Sequence, residues 1–181
     1  MRNTRKLVRL IQVAIGALLG ATQCAPSTSS IPAVSDFQIE RYTGTWYEIA
    51  RLPNRFESGL DSVTANYTAL PDGKIRVVNR GFKTEDAEWK EAVGKARFAS
   101  DTTVGELEVS FFGPFYADYR IIRLDRDYRW AVVTSGRKNF LWFLSRTPQL
   151  DDATVSQLTE FSDSHGFSVD ELIFPAQPSA E

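Results

Sequence analysis

The sequence predicts an all-β protein: an eight-stranded antiparallel up-and-down β-barrel with one C-terminal α-helix packed outside it. Three observations support this prediction. Apolar and polar residues alternate with a period of two in eight short segments, the connections between these segments are short, and only one later segment has helical periodicity. Eight such strands close into a barrel whose interior is either filled by side chains or holds one small ligand.

The strand-like segments lie between residues 44 and 146 and are separated by turn residues. Pro71-Asp72-Gly73 predicts a tight hairpin, since Asp-Gly readily adopts the positive φ that such turns require. Gly94 interrupts the fourth segment, where we expect a bend or a bulge. The predicted strands are 44–51, 62–69, 75–80, 89–99, 106–111, 119–124, 130–134 and 140–146.

A single helix is predicted after the last strand. From Asp151 to Ser164 the apolar residues Val155, Leu158 and Phe161 recur at three-residue spacing, and Gly166 is placed to end the helix. One helix that follows eight strands fits a segment packed on the outside of the barrel rather than the crossover of a parallel sheet.

The N-terminus has the composition of a signal peptide over residues 1–23. Four basic residues accompany an apolar segment from Leu10 to Ala21, which is shorter than the roughly twenty residues of a transmembrane anchor. Cys24, the only cysteine, follows, and the segment 21–24 (ATQC) resembles a bacterial lipobox, in which the cysteine is acylated. An exported lone thiol has no disulfide partner, which favours acylation over the alternative of an incidental cysteine after a cleaved signal.

The remaining chain is predicted to form one domain on a tether. Residues 24–35 are expected to be a lipid-anchored flexible tether, residues 36–175 the barrel domain and residues 176–181 a C-terminal tail. Without the four basic residues of the signal, 17 Lys and Arg stand against 23 Asp and Glu, a net charge of about −6. This charge makes nucleic acid an unfavourable partner.

Aromatic and charged motifs at the two ends of the strand series carry a family resemblance. Trp46 opens the first strand and Arg146 ends the last, so that an indole and a guanidinium could stack and close one end of the barrel. On these motifs the segment from about Asp36 to Pro175 resembles the lipocalin family, and within it the bacterial outer-membrane lipocalins close to apolipoprotein D. The motifs are 44–51 (GTWYEIAR), 63–67 (VTANY), 110–116 (SFFGPFY) and 142–148 (WFLSRTP).

The resemblance implies a structural role for the closed end of the barrel. Gly44, Trp46 and Arg146 belong to this end, and Asp125 lies in the family's middle motif, which is only partly present, with Tyr128 following later. The ligand would then contact inward side chains nearer the mouth, which the alternation nominates, with ordinary core packing as the alternative for the apolar ones. These candidates are Ala65, Tyr67, Val77, Asn79, Val109, Phe111, Phe140 and Trp142.

Two polar side chains among the candidates need a partner. The Asn79 amide is costly on an inward face unless it bonds a ligand, water or Tyr67. Arg120 and Arg123 fall on opposite faces of one strand by alternation. Arg120, nearer the mouth, is expected to face the cavity and meet a carboxylate or phosphate, with exposure on the outer surface as the alternative.

The predicted function is binding, storage or transport of fatty acids or lysophospholipids at the periplasmic face of the outer membrane, with acylated Cys24 as the anchor. A soluble periplasmic or secreted protein is the alternative location. A lipid-modifying enzyme is the alternative function, with Tyr67, Tyr119, Glu48 and an arginine as its few candidates, and a filled barrel that acts through surface contacts is a third. No catalytic residue, metal site or cofactor is expected, and whether two barrels form a homodimer stays open.

Overall fold

A computed structural model of the protein describes Ser27 and residues 30–178. These residues form a closed barrel of eight antiparallel strands in sequential order, in which the first strand also pairs with the last. The predicted barrel with one outer C-terminal helix is therefore confirmed. The elements are α1 (Ile39–Tyr42), β1 (Gly44–Arg51), β2 (Leu60–Ala69), β3 (Ile75–Lys83), β4 (Glu88–Phe98), β5 (Glu106–Phe112), β6 (Phe115–Leu124), β7 (Trp130–Thr134), β8 (Leu141–Ser145), α2 (Asp152–Ser164) and a 3₁₀ turn (Val169–Glu171).

The loops divide between the two ends of the barrel. Because consecutive strands are antiparallel, loops 52–59, 84–87, 113–114 and 135–140 share one end, which we call the open end. Loops 70–74, 99–105 and 125–129 share the other end, the closed end, where α1 packs through Tyr42.

Alternation along the strands produces two hydrophobic cores, one inside the barrel and one outside it. The inner core is built on Trp46 and Tyr67, with Val77 and Val133 on other strands. The outer core joins the opposite faces of β1, β7 and β8 to α2, whose Leu158 is fully buried. The helix therefore contributes to the stability of the fold without entering the barrel. Within residues 30–178, no helix is long and apolar enough to cross a lipid bilayer.

The N-terminal segment before α1 packs along the outer wall of the barrel. The Val34 N–H donates to the carbonyl of Ile121 at 2.9 Å, and Ile31 is buried in the outer core. Ser27 forms a β-bridge with Arg137 in loop 135–140. The part of the predicted flexible tether from residue 30 to 35 is thus held against the barrel, because its apolar side chains find partners there.

The register shifts of the barrel lie away from Gly94. At Gly94 the pairing of β3 with β4 runs unbroken, so the expected bulge is absent from this position. Its role is close approach: a Cβ there would lie 2.7 Å from the carbonyl oxygen of Ser110 and 2.8 Å from the ring of Phe111. The register shifts lie between Glu48 and Ala50, Asp61 and Thr64, Val109 and Phe112, and Ile121 and Arg123.

Candidate functional site

The closed end is sealed by a tryptophan and an arginine. The Arg146 guanidinium lies 3.9 Å from the centroid of the Trp46 ring, and the Trp46 indole N–H donates to the carbonyl of Tyr42 at 2.8 Å. Gly44 has a φ of +90°, and a Cβ there would lie 3.4 Å from Arg146 Nη1. Arg146 also donates to three backbone carbonyls, those of Arg41 (2.7 Å), Thr45 (2.9 Å) and Tyr128 (3.3 Å). One side chain therefore ties α1, β1 and the β6–β7 loop together.

Asp125 organises the β6–β7 loop at the same end. Its carboxylate accepts hydrogen bonds from the backbone N–H groups of Asp127 and Arg129. It also accepts two bonds from the Arg129 guanidinium, at 2.8 and 2.9 Å, and this guanidinium holds the pKa of Asp125 below its usual value. The partly matched middle motif thus forms a turn closed by its own aspartate.

Three tyrosines form a polar floor above the sealed end. The Tyr119 hydroxyl is 2.7 Å from that of Tyr42 and 2.8 Å from that of Tyr67. Burial raises the pKa of all three phenols well above the usual value, so they remain protonated at physiological pH. Aromatic side chains thereby fill the half of the barrel next to the closed end.

Towards the open end of the barrel the inward side chains are only partly buried. Asn79 pairs across the ladder with Ala92, and both occupy inward positions because Val77, two residues before Asn79, lies in the inner core. Ala92 is exposed because it lies at the rim of the barrel, where the ladder between β4 and β5 has already ended at Lys95. Other inward side chains here are only partly buried: Ala65, Val109, Phe111 and Trp142. Phe140 extends this lining, with its ring stacked on Trp142 at 5.8 Å.

Asn79 carries an unpaired polar atom on the inward face of β3. Its Oδ1 is buried and has no hydrogen-bond partner among the described residues. Leaving a buried acceptor unpaired costs about 1–3 kcal/mol. The amide is therefore available to a polar group that enters the barrel.

A charged cluster beneath loop 52–59 was missed by the sequence analysis. The register shift in β1 turns Arg51 inward beside Glu48, where strict alternation places the two on opposite faces. Arg51 Nη1 donates to Glu48 Oε1 at 2.6 Å, and Nη2 donates to the carbonyl of Glu57 at 2.8 Å. The Trp142 indole N–H donates to Glu57 Oε2 at 2.9 Å. The cluster anchors loop 52–59 to the barrel wall. It depends on the bulge in β1, and because no residue type marks that bulge in the sequence, the sequence analysis could not predict the cluster.

The pKa of Glu48 is raised, first by burial and then by the neighbouring Glu57, against the lowering effect of Arg51. Folding thus favours the protonated form of Glu48. Protonated Glu48 contributes its full stabilisation below the ordinary pKa of 4.5, and this stabilisation is lost as the pH rises through the raised pKa of the folded protein. We expect the free energy of unfolding of the native protein, relative to Glu48→Gln, to fall as the pH rises above 4.5. Urea unfolding from pH 4 to 8 measures this difference, with Glu88→Gln as an exposed control. A difference that grows with pH would show that the ion pair with Arg51 dominates instead.

Arg120 does not line the cavity, and the predicted inward orientation is wrong. It pairs across the ladders with Glu106 and Thr134, both outward positions, and its Nη2 donates to Glu106 Oε1 at 2.8 Å. The register shift between Ile121 and Arg123 resets the alternation, so Arg123 also faces outward and lies over the ring of Phe161 at 4.7 Å. Cationic side chains on the inner face of the barrel, among the described residues, therefore belong to strands other than β6. Arg51 of β1 is one of them.

A family model described as a lipocalin-like domain matches residues 37–177 of this chain. Outer membrane lipoprotein Blc of Citrobacter freundii is 42% identical over 94% of this chain and 97% of its own length. Blc of Escherichia coli K12 is 40% identical over 97% of this chain and 99% of its own length, and mouse apolipoprotein D is 27% identical over 79% and 78%. The names of the bacterial relatives agree with the outer-membrane location predicted from the sequence.

Solved structures show the same fold. Insecticyanin from the tobacco hornworm superposes with a TM-score of 0.68 at 20% identity, covering 82% of this chain and 85% of its own. Lobster apocrustacyanin A1 superposes with a TM-score of 0.65 at 16% identity, covering 82% and 91%. At such identities the likeness concerns the architecture alone. In the described part of the chain, no group of three or more His, Cys, Asp or Glu side chains is placed to hold a metal ion.

Proposed function

This chain belongs to the lipocalin family, whose members bind small hydrophobic ligands, and from that membership we propose that it binds fatty acids or lysophospholipids at the bacterial outer membrane. The acyl chain occupies the half of the barrel next to the open end, and the head group lies towards the mouth. The observation that carries the proposal is the buried Asn79 Oδ1, an inward acceptor without a partner among the described residues, next to inward side chains that are only partly buried.

The free energy gained by burying an acyl chain is large enough for this function. Each methylene group moved from water into an apolar site contributes about 0.8 kcal/mol, so roughly ten contribute about 8 kcal/mol before the costs of ordering the ligand. That gross value corresponds to about micromolar affinity. The unpaired Asn79 Oδ1 and the Trp142–Glu57 pair offer polar contacts above the apolar lining, to a hydroxyl or an ammonium group.

Titration of delipidated protein with palmitate and with a lysophospholipid tests the proposal. An acyl chain beside Trp142 should change its fluorescence, and the same titration of Trp142→Phe should lose most of that change while the ligand still binds. The remaining tryptophans, Trp46 at the closed end and Trp89 and Trp130 on outer faces, serve as an internal reference. Absence of binding by both lipids would refute the proposal.

Membrane attachment is assigned to Cys24, which lies outside the described residues. We expect Cys24→Ser to release the protein from the membrane fraction, since the acyl chains of a lipoprotein bury dozens of methylene groups that a serine cannot replace. Fractionation of cells that express either form, followed by detection of the protein in membrane and soluble fractions, measures this. A membrane fraction unchanged by Cys24→Ser would indicate a retained signal anchor or a peripheral contact.

The alternative function, a lipid-modifying enzyme, has weaker support. The cavity tyrosines Tyr67 and Tyr119 have raised pKa values, so neither phenol is an activated nucleophile. Glu48 is buried and paired with Arg51. Mass spectrometry of a lysophospholipid incubated with the protein separates the two functions: a carrier returns the lipid with its mass unchanged.

A further inference from the structure

The path of the N-terminal segment determines where a lipid anchor on Cys24 would leave the barrel. The segment is held at the closed end, where the Gly105 N–H donates to the carbonyl of Val34 at 2.9 Å. It then runs towards the N-terminus along the outer wall, past buried Ile31, and reaches loop 135–140 at the open end through the bridge between Ser27 and Arg137. Cys24 lies three positions before Ser27 in the sequence, a span of about 10 Å at full extension. A strand of eight residues extends about 26 Å, so this reach keeps Cys24 near the open end.

Exposed aromatic side chains concentrate at the same end. Phe56 in loop 52–59 is 62% exposed, and Phe112 and Phe115, which flank loop 113–114, are 76% and 78% exposed. Among the large apolar side chains that are exposed in the described residues, Leu70 is the one that lies in a closed-end loop, at 37%. Water is an unfavourable environment for three exposed phenyl rings, whereas the interface of a bilayer is a favourable one.

The charges around these rings are compatible with a lipid surface. The Arg55 guanidinium lies 4.8 Å from the centroid of the Phe56 ring, where it can meet a lipid phosphate while the ring enters the interface. Lys83 forms an ion pair with Glu85 of the acidic loop 84–87. Lys90 likewise pairs with both Asp86 and Glu88. These pairs reduce the repulsion that bare carboxylates would exert on lipid phosphates.

We infer that the open end of the barrel rests on the lipid bilayer, with Phe56, Phe112 and Phe115 in the membrane interface. The mouth of the cavity then faces the membrane that supplies its ligands, and a lipid can pass between the two without crossing bulk water. The inference rests on the acylation of Cys24 in the proposed function and adds the orientation, which acylation alone does not fix. The anchor and the rings place the membrane at the same end independently of each other.

Fluorescent labels at the two ends test the orientation on the acylated, full protein. Acylated Cys24 leaves an introduced cysteine as the only free thiol, so Ser58→Cys labels the open end and Thr102→Cys labels the closed end; both residues are exposed. The proteins are reconstituted into vesicles of phosphatidylethanolamine and phosphatidylglycerol that contain a lipid-borne quencher. We expect the label at position 58 to be quenched at least threefold more strongly than that at position 102. Equal quenching, or stronger quenching at position 102, would overturn the inference.

Removal of the aromatic rings tests the contact itself. In the Ser58→Cys protein, replacing Phe56, Phe112 and Phe115 by serine should lower the quenching towards that at position 102, whereas Leu70→Ser should leave it unchanged. Quenching unaltered by the triple substitution would overturn the contact. Fluorescence transfer between labelled proteins at low surface density would also overturn the contact if the triple substitution abolished that transfer. Such a result would show that the rings bind a second copy of the chain and not the lipid. Palmitate binding is measured on the same variants, so that loss of binding in every form refutes the proposed function without affecting the orientation.

Discussion

Replacing Trp46 by alanine is expected to lower the free energy of unfolding by about 3–5 kcal/mol, the range for truncation of a large buried aromatic residue. Trp46 is fully buried, its indole N–H is bonded to the carbonyl of Tyr42, and its ring supports the Arg146 guanidinium. Truncation removes all three interactions and leaves a cavity at the closed end. Urea unfolding followed by circular dichroism measures the loss.

Trp89→Ala is the matched control for this substitution. The Trp89 side chain is 49% exposed on the outer wall of β4, with the Arg80 guanidinium 4.0 Å from its centroid. Its removal should cost less than half as much as that of Trp46, because partly exposed side chains lose less burial. If Trp46→Ala keeps the free energy of unfolding of the native protein but no longer binds lipid, then the ligand site is at the closed end of the barrel. Our assignment of the two ends would then be reversed.

Replacing Trp142 by glutamate is expected to reduce the affinity for long acyl chains by about a hundredfold or more while the barrel remains folded. The new carboxylate would stand beside Glu57, whose Oε2 now accepts the indole N–H, and near buried Glu48. Without ligand, water reaches this partly buried position and can solvate the charge. An acyl chain would displace that water, so binding would carry the cost of desolvating a carboxylate.

Two controls separate charge from the loss of the ring in this experiment. Trp142→Phe keeps an aromatic surface and should retain binding within about tenfold, since it loses one hydrogen bond. Trp89→Glu makes the same chemical change on the outer wall and should leave affinity unchanged. Isothermal titration with palmitate measures affinity, and circular dichroism reports folding. If Trp142→Glu unfolds the protein outright, position 142 is solid core and the barrel is filled rather than hollow.

The fold could be predicted because its determinants are local and periodic. Alternation marked every strand, and the spacing of Val155, Leu158 and Phe161 marked α2, which begins one residue after its N-cap Asp151. The side chain of Asp151 accepts from the Thr154 N–H at 2.8 Å, which explains that boundary. The stack of Trp46 on Arg146 joins residues 100 positions apart; their places at the start of the first strand and the end of the last made the contact conceivable, and the family motif made it an expectation.

The candidate site was less predictable, because register shifts reset which residues face inward. The shift in β6 turned Arg120 and Arg123 to the same outer face, and the shift in β1 brought Arg51 to Glu48. No residue type marks either shift in the sequence. Candidates on unshifted stretches, such as Val77 and Asn79 on β3, could be assigned to the interior by alternation alone.

The N-terminal segment shows a second limit of sequence patterns. Ile31 lies in a short segment of serine, proline and small apolar residues and carries no periodic signal, yet it is buried against the outer wall. Its burial depends on a surface formed by β-strands and α2 far away in the sequence. Tertiary partners of isolated apolar residues lie beyond the reach of local patterns.

A crystal structure with a bromine-labelled fatty acid tests the central claim most directly, because anomalous scattering locates the bromine atom without ambiguity. With the label at the end of a sixteen-carbon chain, we predict a peak inside the barrel above the tyrosine floor, between Tyr67 and Phe111, with the carboxyl group directed towards the mouth. One fatty acid should be present per barrel. A bromine peak found only on the outer surface, in a barrel whose interior is closed by side chains, would contradict the account.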